Sequence, residues 1–117
     1  MILLRSDLSD YQPPKFAPGD LVRHVRYLYR GVVVAHDPKC GADEQWYQSN
    51  QTQPDRNQPW YHVLVHESGS VTYPAESSLE SDDSGELIVH PLLEQFFGDF
   101  DDGRYQRNNI PWPVTNS

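Results

Sequence analysis

The stretch Gln58–His66, which reads QPWYHVLVH, decides the fold because it is the densest run of aromatic and β-branched residues in the chain. Pro59 favours an extended entry, since its ring keeps the preceding residue out of the helical region. Successive side chains of a strand point to opposite faces. One face carries Tyr61, Val63 and Val65, and the other carries Trp60, His62 and Leu64. A strand that is apolar on both faces is usually buried on both, so this stretch predicts the central strand of a small β-structure.

Turn signals and apolar runs on both sides of the central strand predict four further strands. Pro18-Gly19-Asp20 is a turn signal before the first of them. Pro38 ends the second, because proline lacks the N–H that a strand ladder needs. Glu67–Ser70 is expected to be the hairpin loop that follows the central strand. The four strands are Leu21–Arg26, Val32–Asp37, Val71–Tyr73 and Leu87–Val89.

Two short helical segments complete the expected elements. Pro74–Leu79 has the pattern of a single helical turn, and Leu92–Phe97 has apolar residues at helical spacing after Pro91. Five short strands joined by long polar connections are typical of a small, strongly bent barrel. The sequence therefore predicts a mainly β fold, namely an SH3-like five-stranded barrel with a short C-terminal helix.

The composition divides the chain of 117 residues into a single domain with two tails. We expect a flexible N-terminal arm at residues 1–14, the barrel at residues 15–98 and an acidic, partly disordered tail at residues 99–117. Residues 39–58 form a polar insertion in the barrel, and loops of this length are usually functional or mobile. Trp46 and Tyr47 are expected to pin the insertion back onto the barrel.

The charge is unevenly distributed along an acidic chain. The net charge is −8, which disfavours a nucleic-acid coat or a binder of anionic membranes. Up to Cys40 six basic residues stand against four acidic ones, and after it three stand against thirteen. A lone cysteine excludes an internal disulfide and a multi-cysteine zinc site. No run approaches the length of a membrane helix, and the apolar start Met1–Leu4 is too short for a signal peptide, so we expect a cytoplasmic protein.

A set of short motifs, spread in order across residues 15–79, resembles a known family. The motifs are Lys15-Phe16, Gly19, Val22-Arg23-His24, Gly31-Val32-Val33, Asp37-Pro38, Pro59–Val63, Thr72-Tyr73, Ala75-Glu76 and Leu79. The chain is similar to the YccV-like family, also called the hemimethylated-DNA-binding domain family, which includes the heat-shock protein HspQ. The resemblance covers neither the arm nor the acidic tail.

The resemblance implies an SH3-like barrel without catalytic activity or cofactor, and a tendency to form homo-oligomers. It also implies one of two binding roles. The first is binding of hemimethylated DNA, as the family name says. The second is a stress-response role in bacterial protein quality control, in which HspQ-like members modulate an ATP-dependent protease.

The histidines do not form an obvious metal site. His62 and His66 are four residues apart in a strand, so their Cα atoms lie roughly 13 Å apart and cannot hold one ion together. A site would need His24 or His36 together with a carboxylate such as Glu76. We expect no metal, and we expect His24, His62 and Glu76 to be structural polar residues of the barrel.

No arrangement of residues predicts an enzyme. Cys40 follows Lys39 at the start of a loop, but a lone cysteine near a lysine is usually incidental. The chain contains no glycine-rich phosphate loop and no nucleophile elbow. Its carboxylates lie in polar surroundings, without an assembled acid–base set. We therefore expect no catalytic residue.

Two sets of residues are candidates for binding. Duplex DNA would be held through phosphate contacts by Lys15, Arg23, Arg26 and Arg30. The acidic remainder would repel the duplex, and no pocket for a methyl group is identifiable. A protein would be held in an aromatic groove formed by Tyr27, Tyr29, Trp46, Tyr47 and Trp60. The aromatic content favours a protein partner, either the protease or its substrate, with hemimethylated DNA as the alternative.

Overall fold

The computed structural model describes residues 13–50 and 53–113, and it is mainly β, as predicted. Five strands form one antiparallel sheet in the order β4-β3-β2-β1-β5, and two more form a separate hairpin. Most of the predicted N-terminal arm lies outside the described residues. The sheet strands are β1 (Leu21–His24), β2 (Arg30–Asp37), β3 (Trp60–Val65), β4 (Val71–Thr72) and β5 (Leu79–Ser81). The hairpin strands are β6 (Phe97–Asp101) and β7 (Arg104–Arg107).

Strand β3 is an interior strand that is buried on both faces, as its apolar pattern predicted, but the middle position of the five-stranded sheet belongs to β2. It pairs with β2 along its whole length and with β4 near its end. Tyr61 and Val63 are fully buried in one core cluster with Phe16 and Val33, whereas Leu64 belongs to a second cluster on the other face. Both faces of β3 are therefore buried, which explains its continuous run of large apolar residues.

The hairpin β6–β7 closes the second core cluster. Tyr105 donates its backbone N–H to the Gly19 carbonyl at 3.0 Å, and Asp20 bridges to Arg104, so the hairpin is joined to the start of β1. Phe96, Phe97 and Tyr105 are each at most 5% exposed. Residues 99–107, which we assigned to the acidic tail, lie in this hairpin.

The predicted fifth strand at Leu87–Val89 is wrong, because the fifth strand of the sheet is Leu79–Ser81. That strand pairs with β1, with His24 opposite Leu79 and Val22 opposite Ser81. Residues 87–89 instead lie outside the strands, and Val89 accepts the Glu67 N–H at 2.8 Å and donates its own N–H to the His66 Nδ1 atom at 2.9 Å. The Ile88 N–H donates to the Tyr105 hydroxyl at 2.9 Å. The described strands form an open sheet and a hairpin, so the closed barrel is not confirmed.

Three short helical segments join the strands. Helix α1 (Glu44–Ser49) lies in the polar insertion, and helix α2 (Leu93–Phe96) confirms the predicted C-terminal helix. A 3-10 turn at Glu76–Ser78 confirms the predicted helical turn between β4 and β5. Asp43 caps α1 by accepting the Trp46 N–H at 2.8 Å. No helix in the described part of the chain is long and apolar enough to cross a membrane.

Gly31 is required by the close packing of β2 on β3. A Cβ atom at this position would lie 2.5 Å from the Leu64 carbonyl oxygen and 2.5 Å from a methyl carbon of Val63. Neither neighbour can retreat easily, because both belong to the buried strand β3.

We predict that Gly31→Ala lowers the free energy of unfolding by about 1–3 kcal/mol, the usual cost of overpacking a core. Urea denaturation followed by tryptophan fluorescence measures the change. Gly69→Ala is the matched control, since no atom lies within 4 Å of a Cβ at that position. Equal stability of the two variants would contradict the close contact between the strands.

Candidate partner-binding groove

An open groove runs along one side of the sheet, between the polar insertion and the segment that follows β7. Three parts of the chain supply most of its lining, and Pro18 and Val34 complete it. The first comprises Ala35, His36, Asp37, Gly41, Ala42, Asp43 and Trp46. The second comprises His62 of β3 with Val71, Thr72 and Tyr73 at β4. The third is the segment 107–113, which carries Arg107, Ile110 and Trp112. We name this the insertion groove.

Two aromatic rings enclose His62 at the floor of the insertion groove. Its ring centroid lies 4.4 Å from that of Tyr73 and 5.7 Å from that of Trp112. The His62 Nε2 atom is 3.5 Å from an Asp37 carboxylate oxygen, which also accepts the Tyr73 hydroxyl proton. Burial lowers the pKa of His62, although Asp37 acts in the opposite direction. The floor is therefore a packed, hydrogen-bonded surface with a neutral imidazole.

The insertion contributes an aromatic wall, as predicted. Trp46 packs edge-on against Trp60 at 6.2 Å and against Tyr73 at 5.6 Å between ring centroids. The Tyr47 hydroxyl donates to the Pro54 carbonyl at 2.6 Å, which ties helix α1 to the second half of the insertion, and the Cys40 N–H donates to the Arg56 carbonyl at 3.0 Å, which joins its two ends. These contacts position helix α1 against the sheet.

The structure separates the five aromatic residues that we predicted as one groove. Trp46 lines the insertion groove, and Tyr47 packs behind it on Trp60, which is only 2% exposed. Tyr27 and Tyr29 instead stack on His24 at the turn between β1 and β2, at 4.6 and 5.1 Å between centroids. The predicted groove therefore splits into two aromatic surfaces.

The C-terminal wall of the insertion groove was missed by the sequence reasoning. Trp112 stacks on Phe96 at 5.2 Å as well as on His62. Arg107 donates to the carbonyls of Val34 and Ile110 at 2.9 and 2.8 Å, and its guanidinium lies 5.0 Å above the Phe96 ring. The sequence feature that could have indicated this wall is Trp112, a single tryptophan between two prolines in a segment that is otherwise mostly polar.

The four basic residues proposed for phosphate contacts do not form one free patch. Arg23 pairs with Glu80 at 2.6 Å, and Arg30 pairs with Asp82 at 2.7 Å. Burial raises the pKa of Asp82, but hydrogen bonds from Arg30 and Ser84 outweigh it, and the pKa falls below its usual value.

The other two basic residues proposed for phosphate contacts lie over aromatic rings. Lys15 is 5.9 Å from the Phe16 ring, and Arg26 is 5.6 Å from the Tyr27 ring.

The predicted structural polar residues hold turns in place. His24 is 6% exposed, and its Nδ1 atom accepts the N–H groups of Arg26 and Tyr27 at 3.1 and 3.0 Å. Burial, and secondarily the charge of Arg26, lowers the pKa of His24. Glu76 accepts the Tyr61 hydroxyl proton at 2.6 Å and the Lys15 N–H at 2.7 Å.

Residues 13–50 and 53–113 contain no group of three or more His, Cys, Asp or Glu side chains that would hold a metal ion. Cys40 is buried beside Trp60 and Ala75, away from solvent. The described groups are suited to binding through aromatic contact and hydrogen bonds.

Comparisons with known proteins agree with the motifs in the sequence. A family model described as "Hemimethylated DNA-binding protein YccV like" matches residues 14–104. F-box only protein 21 of Homo sapiens is 31% identical over 110 residues, and that of Mus musculus is 31% identical over the same length. Each alignment covers 92% of this chain but 17% of the relative, so the chain spans about a sixth of these longer proteins.

We predict that stability falls as the pH drops below about 6.5. The pKa values of His24 and His62 are lowered from 6.5, so the unfolded chain binds protons more readily in this range. Stability rises with pH wherever the unfolded state binds more protons. The stabilisation that the two neutral imidazoles provide is therefore complete above pH 6.5. It is lost as the pH falls from there through the lowered pKa values of the folded protein.

Urea denaturation at about pH 7.5 and about pH 5.5 tests this dependence, because the carboxylates titrate below that window. The double variant His24→Gln/His62→Gln should lose less stability between the two conditions than the wild type. A wild-type free energy of unfolding that is equal at both values would show that the two imidazoles titrate normally.

Proposed function

The chain belongs to the YccV-like family, and from that premise we propose that it is a cytoplasmic, non-enzymatic binding module of protein quality control. It modulates an ATP-dependent protease by direct contact with the protease or with its substrate. The insertion groove carries this proposal. Its lining includes Trp46, Tyr73 and Trp112, and aromatic residues are enriched in surfaces that bind protein.

The SH3-like barrel is part of this proposal. Strands β4 and β5 lie at opposite edges of the sheet, but only the residues Tyr73–Ser78 connect them. Ala75 within that connection bridges to Trp60 at the start of β3. A connection this short favours a strongly bent sheet over a flat one. Bent sheets of this kind offer the grooves in which partner segments bind.

Electrostatics supports a protein partner over DNA. A duplex is held mainly by phosphate contacts from free lysines and arginines. Arg23 and Arg30 are engaged by Glu80 and Asp82, and the chain has a net charge of −8. Two of the four candidate phosphate contacts would therefore require internal ion pairs to be broken.

We predict that the protein changes the rate at which a purified bacterial ATP-dependent protease degrades a model substrate. Val71 and Ile110 are 39% and 43% exposed on the insertion groove, so charges there should disturb a partner more than the fold. Val71→Glu and Ile110→Glu should each raise the concentration for half-maximal effect about tenfold, corresponding to about 1.4 kcal/mol.

Leu87→Glu is the matched control, because Leu87 is 58% exposed and lies outside the insertion groove. It should behave as the wild type does, and circular dichroism should show that all three variants are folded. A degradation rate that stays unchanged at saturating wild-type protein would refute the proposed role.

Binding of hemimethylated DNA is the second candidate, and the description of the matching family favours it. The comparison that tests it is the affinity for hemimethylated, fully methylated and unmethylated duplexes across a salt series. Our account predicts weak, salt-sensitive binding without a preference for one methylation state. Arg26→Glu is the most informative variant, since Arg26 has no ion pair within the described residues that the change would break.

A clear preference for the hemimethylated duplex, lost in Arg26→Glu, would establish the DNA role instead.

A further inference from the structure

The turn between β1 and β2 exposes an apolar tip. The backbone N–H of His24 donates to the Tyr29 carbonyl at 2.9 Å, and the backbone N–H of Leu28 donates to the His24 carbonyl at 2.8 Å. The four residues between are Val25, Arg26, Tyr27 and Leu28, which we name the hairpin tip. Val25, Tyr27 and Leu28 are 47%, 53% and 64% exposed. Three neighbouring apolar side chains are thus left in solvent at the end of one hairpin.

Leu28 occupies a backbone conformation that disfavours its side chain. Its φ is +64°, in the left-handed region that glycine and asparagine usually occupy. Within residues 13–50 and 53–113, the other non-glycine residues with positive φ are all polar. Glycine or asparagine at this position would remove both the strain and the exposed apolar surface. Because Leu28 combines a strained backbone conformation with an exposed apolar side chain, we expect its side chain to have a function.

The hairpin tip is held rigidly for an exposed loop. The Nδ1 atom of His24 accepts the N–H groups of Arg26 and Tyr27, and its ring stacks on Tyr27. Val25 donates its N–H to the Ser78 carbonyl at 2.9 Å, which ties the tip to the 3-10 turn. A rigid apolar tip loses little conformational entropy when it binds.

A positive charge accompanies the apolar side chains. Arg26 lies over the Tyr27 ring and forms no ion pair within the described part of the chain. Arg23 and Arg30, on either side of the turn, are both paired with carboxylates. The tip therefore presents one cation among apolar groups, on a molecule that is otherwise acidic.

We propose that the hairpin tip is an anchor that inserts into an apolar pocket on a protein partner, where a carboxylate at the rim of the pocket pairs with Arg26. Leu28 and Tyr27 fill the pocket. Because the turn is already rigid, it loses little conformational entropy on binding. This inference rests on the proposed function and adds a second contact surface, since none of the tip residues lines the insertion groove. Insertion of the hairpin tip between the base pairs of a DNA duplex is disfavoured, because Arg23 and Arg30 beside the turn are already paired with carboxylates instead of phosphates.

The degradation assay with the purified protease and model substrate tests the anchor. Leu28→Asn should raise the concentration for half-maximal effect at least tenfold, while its Tm stays equal to that of the wild type or rises by up to about 4 °C. Arg26→Glu should show a similar loss of potency without unfolding. Leu87→Asn, a change at an equally exposed leucine away from the tip, should leave the potency within twofold of the wild type.

The possible outcomes separate the two proposals. If the wild type affects degradation and Leu28→Asn does so equally well, the anchor is refuted and the proposed function stands. A fall in Tm of more than about 4 °C in Leu28→Asn would show that Leu28 serves the fold, which also overturns the anchor. Loss of duplex binding with unchanged effect on degradation would assign the tip to DNA. A wild type without effect on degradation overturns the proposed function and the anchor with it.

Discussion

The buried hydroxyl of Tyr61 is the interaction on which the rest of the structure depends. It donates to Glu76 at 2.6 Å and accepts the N–H groups of Lys15 and Phe16 at 3.0 and 3.2 Å. One group thus joins strand β3, the turn before β5 and the residues that precede β1. Burial, followed by the hydrogen bond to Glu76, raises the pKa of this phenol, so it stays a neutral donor across the physiological range. An unsatisfied hydroxyl here would be costly, because the side chain is fully buried.

This arrangement determines where the proposed binding surfaces lie. Since β3 is largely buried, with His62 as the residue that it contributes to the insertion groove, the proposed contact surfaces lie mainly on the insertion, β4, the segment after β7 and the hairpin tip. The ion pairs of Arg23 and Arg30 join β1 and β2 to the carboxylates of Glu80 and Asp82. A phosphate would therefore have to compete with these carboxylates for Arg23 and Arg30. The insertion groove and the hairpin tip both present aromatic and apolar side chains on an acidic molecule, which suits the proposed protein partner.

The features that could be predicted from the sequence are those with a local pattern, and the features that were missed depend on contacts between distant residues. The continuous apolar run Trp60–Val65 predicts a strand that is buried on both faces, and the aromatic pair Trp46 and Tyr47 predicts that the insertion packs against the sheet. The fifth strand was misplaced because Leu87–Val89 is more apolar than Leu79–Ser81, whereas pairing with β1 decides which segment joins the sheet. Trp112 was missed since its partner His62 is fifty residues away in sequence. The arginines appeared free because ion pairs across strands leave no local pattern.

Hydrogen exchange on the intact protein tests the central claim most directly, because one experiment compares both classes of partner. The protein would be measured alone, with the purified ATP-dependent protease and its model substrate, and with a hemimethylated duplex. The account predicts slower exchange at residues 36–46, 71–73 and 107–113 when the protease and substrate are present, with little change on adding the duplex. Slower exchange across residues 15–30 with the duplex, and no protection by the protease and substrate, would contradict it.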